Sequence, residues 1–294
     1  AMVVAIMLTA TFYSTEAQLP APGTGVDSSA SGLARIEMLF PRGKSKALIL
    51  SYDDGPVSDR RLVQLMNRFG LRGTFHLNSN KLGTKDYLTK EEVRDLFKGH
   101  EVSVHSANHP NLTAIPKTGV ISEVVEDRRE LERLTGTPVR GMAYPFGNYN
   151  DLVIETIRGL GIEYARTVDE TRSFAIPDNF LVWNPTIHQF GKAYSTPDDP
   201  ERAKQELAGF FLIVNAFLKT DSLALLEVWG HSWENAGAGD RWADTERFFR
   251  MVAGRPDICS TTQIDLVDYI HAFRNLKFSV SGNIVTNLSA TDVF

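Results

Sequence analysis

"KALILSYDDGP", residues 46–56, decides how this chain is read. It opens as an apolar run, the pattern of a strand buried on both faces. It then delivers two adjacent carboxylates, Asp53 and Asp54, before Gly55-Pro56 breaks it. A turn needs one Asp at most. Two side by side repel each other and must be desolvated together at the end of a core strand. That is costly unless a cation or a proton offsets their charge.

Working outward, short apolar runs alternate with amphipathic segments. "DRRLVQLMNRFG" reads as a helix ended by Gly70, "RGTFHLN" as a strand, and "TKEEVRDLFKG" as a helix with Thr89 at the N-cap and Glu92 closing a capping box. "HEVSVHS" is a strand, "VISEVVEDRRELERLTG" a long helix stopped by Gly136, and "VRGMAYP" a strand. "NDLVIETIRGLG" is a helix capped by Asn150 or Asp151, "YARTV" a strand, and "PERAKQELAGFFLIVNAFLK" a helix. "LALLEVWGH" is a strand, followed by the helices "DTERFFRMVAG" and "TQIDLVDYIHAFRN". Strands alternating with helices imply an α/β fold with a parallel sheet and crossover helices. About seven such units in one run predict a closed or nearly closed (β/α) barrel, with the chemistry at the C-terminal strand ends.

The composition, 43% hydrophobic and 23% charged over 294 residues, is that of an ordinary globular chain. The net charge is −5 and no Lys/Arg run occurs, so nucleic acid is not an expected partner. A single cysteine, Cys259, excludes an internal disulfide framework and any multi-Cys metal site. A bound metal would need His and carboxylate ligands. Residues 1–34 read as a leader: a short apolar run, a small-residue site near "TEAQ", then a Pro/Gly/Ser-rich tail. The run is too short to span a bilayer and looks like a secretory signal peptide, although no Lys or Arg precedes Arg35. The expectation is a secreted or periplasmic protein without a transmembrane segment. Residues 35–275 are expected to form the main domain, and 276–294 a short β extension of it.

Four strand ends carry chemistry: Asp53 and Asp54; His105 and His109 in "HSANHP"; "YPFGNY"; and His231 in "HSWE". A parallel barrel would bring all four to one mouth. Imidazole nitrogens with one carboxylate oxygen make a three-ligand site with an open position, as catalytic zinc requires. One Asp can then bind metal while its neighbour accepts a proton from water.

"SYDDG", "HSANHP", "YPFG" and "WGHSWE", in this order, resemble the motifs of the polysaccharide deacetylases, carbohydrate esterase family 4 with its NodB homology domain. The resemblance covers roughly residues 45–275. It implies a distorted (β/α) barrel that removes acetyl groups from an acetylated oligo- or polysaccharide, chitin oligomers or peptidoglycan first and O-acetylated xylan second. It implies one divalent metal, Zn²⁺ ahead of Co²⁺, Ni²⁺ or Mn²⁺. By position, Asp53 matches the general base, Asp54, His105 and His109 the metal ligands, and His231 the acid that protonates the leaving amine. The backbone N–H of Phe146 matches the oxyanion donor, and Ser106 a brace of the metal loop. Two departures stand out. The third motif normally begins with Arg, here Ala143, so the base needs another cation: Arg166 first, then Arg140 and Arg172. The fourth motif, an Asp followed by Trp, has only Asp169 and Trp183 as its nearest counterparts. Tyr144, Trp183, His188 and Trp233 are candidates to line the groove. Loss of the motif Arg also leaves open a catalytically weak carbohydrate-binding homologue.

Overall fold

Strand β1 (Lys46–Asp54) is buried along almost its whole length and every other strand of the main sheet is arranged around it. Its C-terminal half pairs with β2 (Thr74–Leu77), its N-terminal half with β8 (Ile258–Thr261), and its other edge with β7 (Ala224–Gly230), all parallel. Beyond β2 lie β3 (Glu101–Val104), β4 (Gly141–Ala143) and β5 (Tyr164–Arg166); beyond β7 lies β6 (Ile187–His188). One extended segment joins the two edges of this eight-stranded sheet. Trp183 bridges to Arg166 of β5, and five residues later His188 pairs with Trp229 of β7. The sheet is thus curled into a distorted barrel. This computed structural model describes residues 37–191, 199–236 and 241–294. The leader assigned from sequence to residues 1–34 lies outside them.

The helices follow from their stripes and stops. α1 (Asp59–Phe69) buries Leu62, Val63 and Met66 and ends at Gly70, whose φ of 64° is the left-handed conformation that suits glycine. α3 (Lys117–Thr135) ends the same way at Gly136. α4 (Asp151–Gly159) is capped by Asn150, whose side chain accepts the Val153 N–H. With α5 (Pro200–Lys219) and α6 (Trp242–Val252), these helices cover the outer face of the sheet, where Leu48, Leu50, Phe75 and Val104 meet them in one core. α7 (Gln263–Arg274) packs Leu266, Val267 and Ile270 with the inward-facing Ala47, Ile49 and Tyr164. It closes the barrel at the N-terminal strand ends, which leaves the C-terminal ends as the mouth.

The structure corrects two expectations. The helix over "TKEEVRDLFKG" is a single turn, α2 (Val93–Leu96). Glu92 does accept the Thr89 N–H at 2.6 Å, but Arg60 holds the same carboxylate at 2.7 and 2.8 Å, and Glu92 itself stands at the N-cap of the turn without a side-chain cap bond. Strand β8 was not expected at all. Its sequence, "ICST", is too short and mixed to signal a strand without its neighbour β1. The tail forms an antiparallel hairpin, β9 (Lys277–Phe278) with β10 (Val285–Thr286), and the chain then returns so that Phe294 O accepts the Leu39 N–H at 2.9 Å. Among the described residues, no helix is long and apolar enough to cross a membrane.

Candidate active site

Asp53 and Asp54 are the last two residues of β1, so strand alternation sends their side chains different ways. Asp53 points into the barrel and is 3% exposed. There both of its oxygens meet Nη2 of Arg166, at the end of β5. The rest of that guanidinium is also used: Nε donates to Ser51 Oγ at 3.0 Å, Nη1 to the Thr167 carbonyl at 2.8 Å, and its face lies 4.8 Å from the Trp229 ring. Burial by itself would raise the Asp53 pKa. The Arg166 charge outweighs it and holds the carboxyl well below the usual range. Arg140 is engaged elsewhere, with Glu163 and Asp268. Arg172 donates its backbone N–H to Thr186 from the loop beyond β5.

Asp54 turns the other way, in a left-handed conformation with φ of 79°. Its Oδ1 is buried without a hydrogen-bond partner. It lies 3.8 Å from His105 Nε2, 3.9 Å from His109 Nε2 and 3.9 Å from Lys81 Nζ. His105 follows β3 directly, and its Nδ1 sits 2.8 Å from the Ala143 carbonyl. A carbonyl only accepts, so Nδ1 carries the proton and Nε2 presents a bare lone pair to Asp54. Burial lowers the pKa of both histidines, that of His109 to about 4, where the charge of His105 also weighs against it. Two neutral imidazoles and an unpartnered carboxylate oxygen, their ligand atoms all within 4.8 Å of one another, fit a single divalent cation.

The loops that hold this cluster are conformationally costly. Ser106 (φ 63°), His109 (φ 61°) and Phe146 (φ 59°) join Asp54 in the left-handed region, which non-glycine residues seldom occupy. Ser106 Oγ accepts the His109 N–H at 3.1 Å, so the turn between the two histidines is closed by its own side chain. Phe146 lies in the "PFG" turn after β4, where its left-handed φ sets the direction of its backbone N–H. Its side chain is more than half exposed, with the ring 4.6 Å from that of His109.

His231 follows β7 on the opposite flank, with Nε2 3.9 Å from Asp54 Oδ2. Its Nδ1 lies 3.2 Å from Glu234 Oε1, and its backbone N–H donates to Glu234 Oε2 at 3.0 Å. Burial works against a charged imidazole here, but the hydrogen bond and charge of Glu234 outweigh it and push the pKa up to about 9. Trp233 is 43% exposed, its ring 5.2 Å from that of His231. Phe146 and Trp233 therefore flank the cluster on its two sides. Tyr144 and Trp183 do not reach this mouth: both are buried, with Tyr144 bonded to the Leu181 carbonyl and Trp183 packed on Tyr164. His188 is buried behind Glu234. Asp169 stands on the loop after β5, where its N–H donates to Thr167 Oγ1.

Residues 41–165 match the family model for polysaccharide deacetylases. Over that stretch the chain is similar to the polysaccharide deacetylases. A chitin deacetylase from a Pestalotiopsis species is 26% identical over 133 residues, 45% of this chain and 45% of the relative. The chain spans under half the length of the first curated deacetylases it matches. Among solved structures, a protein classed as a polysaccharide deacetylase from Mycobacterium smegmatis superposes with a TM-score of 0.60 at 16% identity, over 82% of this chain and 96% of the other. A family 4 acetyl xylan esterase from Clostridium thermocellum, in complex with a cobalt ion, gives 0.51 at 12% identity, over 76% and 90%. At these identities the structural likeness speaks for the fold.

Three supports of this site went unread in its sequence. Glu234 stands three residues after His231 in the quoted "HSWE", a spacing that could have suggested the pair. Asn78, at the end of β2, donates to the His105 and Ser106 carbonyls at 2.7 and 2.9 Å. Asp127 accepts the Ser79 and His105 backbone N–H groups at 2.7 and 2.9 Å. Its signal was present too: it interrupts the buried stripe Val120, Val124, Leu131 of α3.

Proposed function

We propose that this chain is a metal-dependent hydrolase that removes acetyl groups from an N-acetylated glycan of the chitin or peptidoglycan type. One observation carries the reading. Three bare ligand atoms of Asp54, His105 and His109 converge, while the neighbouring carboxylate of Asp53 is kept ionised by its own arginine. The division of labour between the two aspartates is therefore built into the strand end.

Asp54, His105 and His109 would hold one divalent cation, Zn²⁺ before Co²⁺, Ni²⁺ or Mn²⁺. When bound, it supplies Lewis acidity to a water and to the acetyl carbonyl. Asp53 is the general base. Its Oδ2, 4.0 Å from His105 Nε2, is the oxygen turned toward the cluster and takes the proton of the attacking water. The Phe146 N–H donates to the charge that builds on the acetyl oxygen. His231 delivers the Nε2 proton to the departing nitrogen, and Glu234 keeps its other ring nitrogen engaged. Phe146 and Trp233 offer sugar rings an apolar face on either flank. The catalytic domain runs over residues 35–275 with the hairpin of 276–294 as its extension, and the protein works outside the cytoplasm.

Acetate release from chitooligosaccharides, peptidoglycan and acetylxylan, before and after chelation and re-addition of Zn²⁺ or Co²⁺, tests this. Chelation should abolish release and metal should restore it. His105→Ala with His109→Ala should lose bound metal. Asp53→Asn should retain it while losing activity by about 10²-fold or more, the scale of general-base loss. Preference for acetylxylan would move the assignment to O-acetyl esters. Stoichiometric metal in the double His variant would overturn the ligand set.

A further inference from the structure

We propose that His188 is a positioning residue for the acid: through Glu234 it locks His231 in the orientation that delivers a proton to the leaving nitrogen. This rests on the deacetylase reading above. His188 closes β6 and pairs in register with Trp229 of β7. It is only 2% exposed and lies edge-on to the Trp229 ring, centroids 4.5 Å apart. From there its Nε2 sits 3.2 Å from Glu234 Oε1. The same oxygen lies 3.2 Å from His231 Nδ1, and Oε2 accepts the His231 backbone N–H. One carboxylate is thus fixed by three N–H donors, two on one oxygen and one on the other.

Remove His188 and that geometry is under-determined. Glu234 stands on a short turn (Ser232–Ala236), three residues from the group it must orient. The two donors from His231 belong to the same loop as Glu234, so they move with it. Among the described residues, His188 is what ties the carboxylate to the barrel. The backbone leaves room for the arrangement: a Cβ at Gly230 would come within 3.2 Å of Glu234 Oε2 and 3.7 Å of His188 Nε2. Among the described residues, the His188 side chain makes no other polar contact that would explain it. Its Nδ1 is buried without a partner, so the bond to Glu234 is the one that its ring is placed to make. The His188 and His231 rings are 6.4 Å apart, centre to centre, so the influence passes through the carboxylate.

The leaving group separates positioning from mere packing. An amine must be protonated to depart, whereas p-nitrophenolate leaves without help. His188→Ala should lower kcat on an N-acetylated chitooligosaccharide by about tenfold or more, part of what a general acid contributes. It should change p-nitrophenyl acetate hydrolysis by about twofold or less, with KM for the oligosaccharide held. His188→Gln, which offers an N–H from a similar depth, should recover part of the loss and guards against a variant that fails to fold. In a Glu234→Gln background, replacing His188 should have little further effect, because the two act as one unit. This cycle can be read on the N-acetylated substrate alone. Equal losses on both substrates, or additive losses in the cycle, would make His188 a packing residue and overturn the proposal. Loss of a second equivalent of Zn²⁺ in both His188→Ala and Glu234→Gln would overturn it in favour of a cation held by His188, His231 and Glu234. A wild-type protein that cleaves neither substrate would bring down the deacetylase reading itself, and this proposal with it.

Discussion

Arg166 shows how one side chain can stand in for a motif position that its own strand lacks. Ala143, at the end of β4, is too small to reach Asp53, and the guanidinium arrives instead from the adjacent β5, whose Arg166 pairs in register with Ala143. Every donor edge of Arg166 is engaged, so its removal would leave a buried carboxylate uncompensated and take a donor from both Ser51 Oγ and the Thr167 carbonyl. Arg166→Ala should cost about 3–5 kcal/mol, the scale for breaking a buried pair from one side, read by denaturant unfolding. The effect on catalysis has a definite sign. Burial favours the neutral Asp53 and Arg166 favours the ionised form. Without Arg166 the pKa rises, and since Asp53 would act ionised in its proposed role as base, the acidic limb of the kcat/KM–pH profile should move to higher pH. Arg166→Lys keeps the charge and should leave the limb closer to its wild-type position. A limb unmoved in Arg166→Ala would mean that the ligand cluster alone sets the base. Much of this was legible in residues: adjacent aspartates at a strand end, two histidines four apart, a displaced arginine. Glu234 and His188 were not legible as partners, because their bond joins a loop to a strand 46 residues away in sequence.

At the scale of elements, α3 does more than cover the sheet. Asp127 lies on its buried face and takes one N–H from the end of β2 and one from the end of β3. A single carboxylate therefore sets the spacing of the two strand ends from which Asn78 and His105 project. Asp127→Ala should leave two buried N–H groups without acceptors, at about 1–3 kcal/mol each. By displacing His105, it should also weaken metal affinity about 10- to 100-fold, as the loss of outer supports does. Thermal unfolding and titration against a competing chelator measure the two effects. Lost stability with unchanged metal affinity would show that α3 holds the fold and not the site. Periodicity found the long helices because their stripes and glycine stops are local. It overestimated the helix after Thr89, where Arg60 of α1 draws on the capping glutamate, and it missed β8, which exists only against β1.

For the whole molecule, the notable feature is a polar barrel interior. Beneath Asp53 and Arg166 lie Ser51, His76, Gln263 and Glu227, all buried, with Gln263 donating to Glu227 at 3.0 Å and lying 3.0 Å from His76 Nε2. Burial pushes the Glu227 pKa up to about 8, against the pull of Arg166. In the unfolded chain the group would titrate near about 4.3. Between these values the folded protein binds a proton that the unfolded chain has lost, so stability falls as pH rises through this window. Glu227→Gln keeps the acceptor for Gln263 and removes the titration. Its melting temperature should decline less steeply than that of wild type between pH 5 and 8. Identical slopes would show that Glu227 stays ionised in the folded state.

The sequence by itself determined the alternation of strands and helices apart from β8, the barrel they imply, and which strand ends carry acids and imidazoles. Those properties are written in local apolar periodicity and in residue type. Only the tertiary structure decided which arginine serves Asp53, which oxygen of Asp54 is left bare, and which carboxylate holds His231. These depend on register and curl: β5 beside β4, and a segment from Trp183 to His188 that joins the two edges of the sheet. Pairings between residues far apart in the chain leave no local pattern. They arise when parallel strands bring their C-terminal ends to one mouth, where buried charges must find partners or a cation.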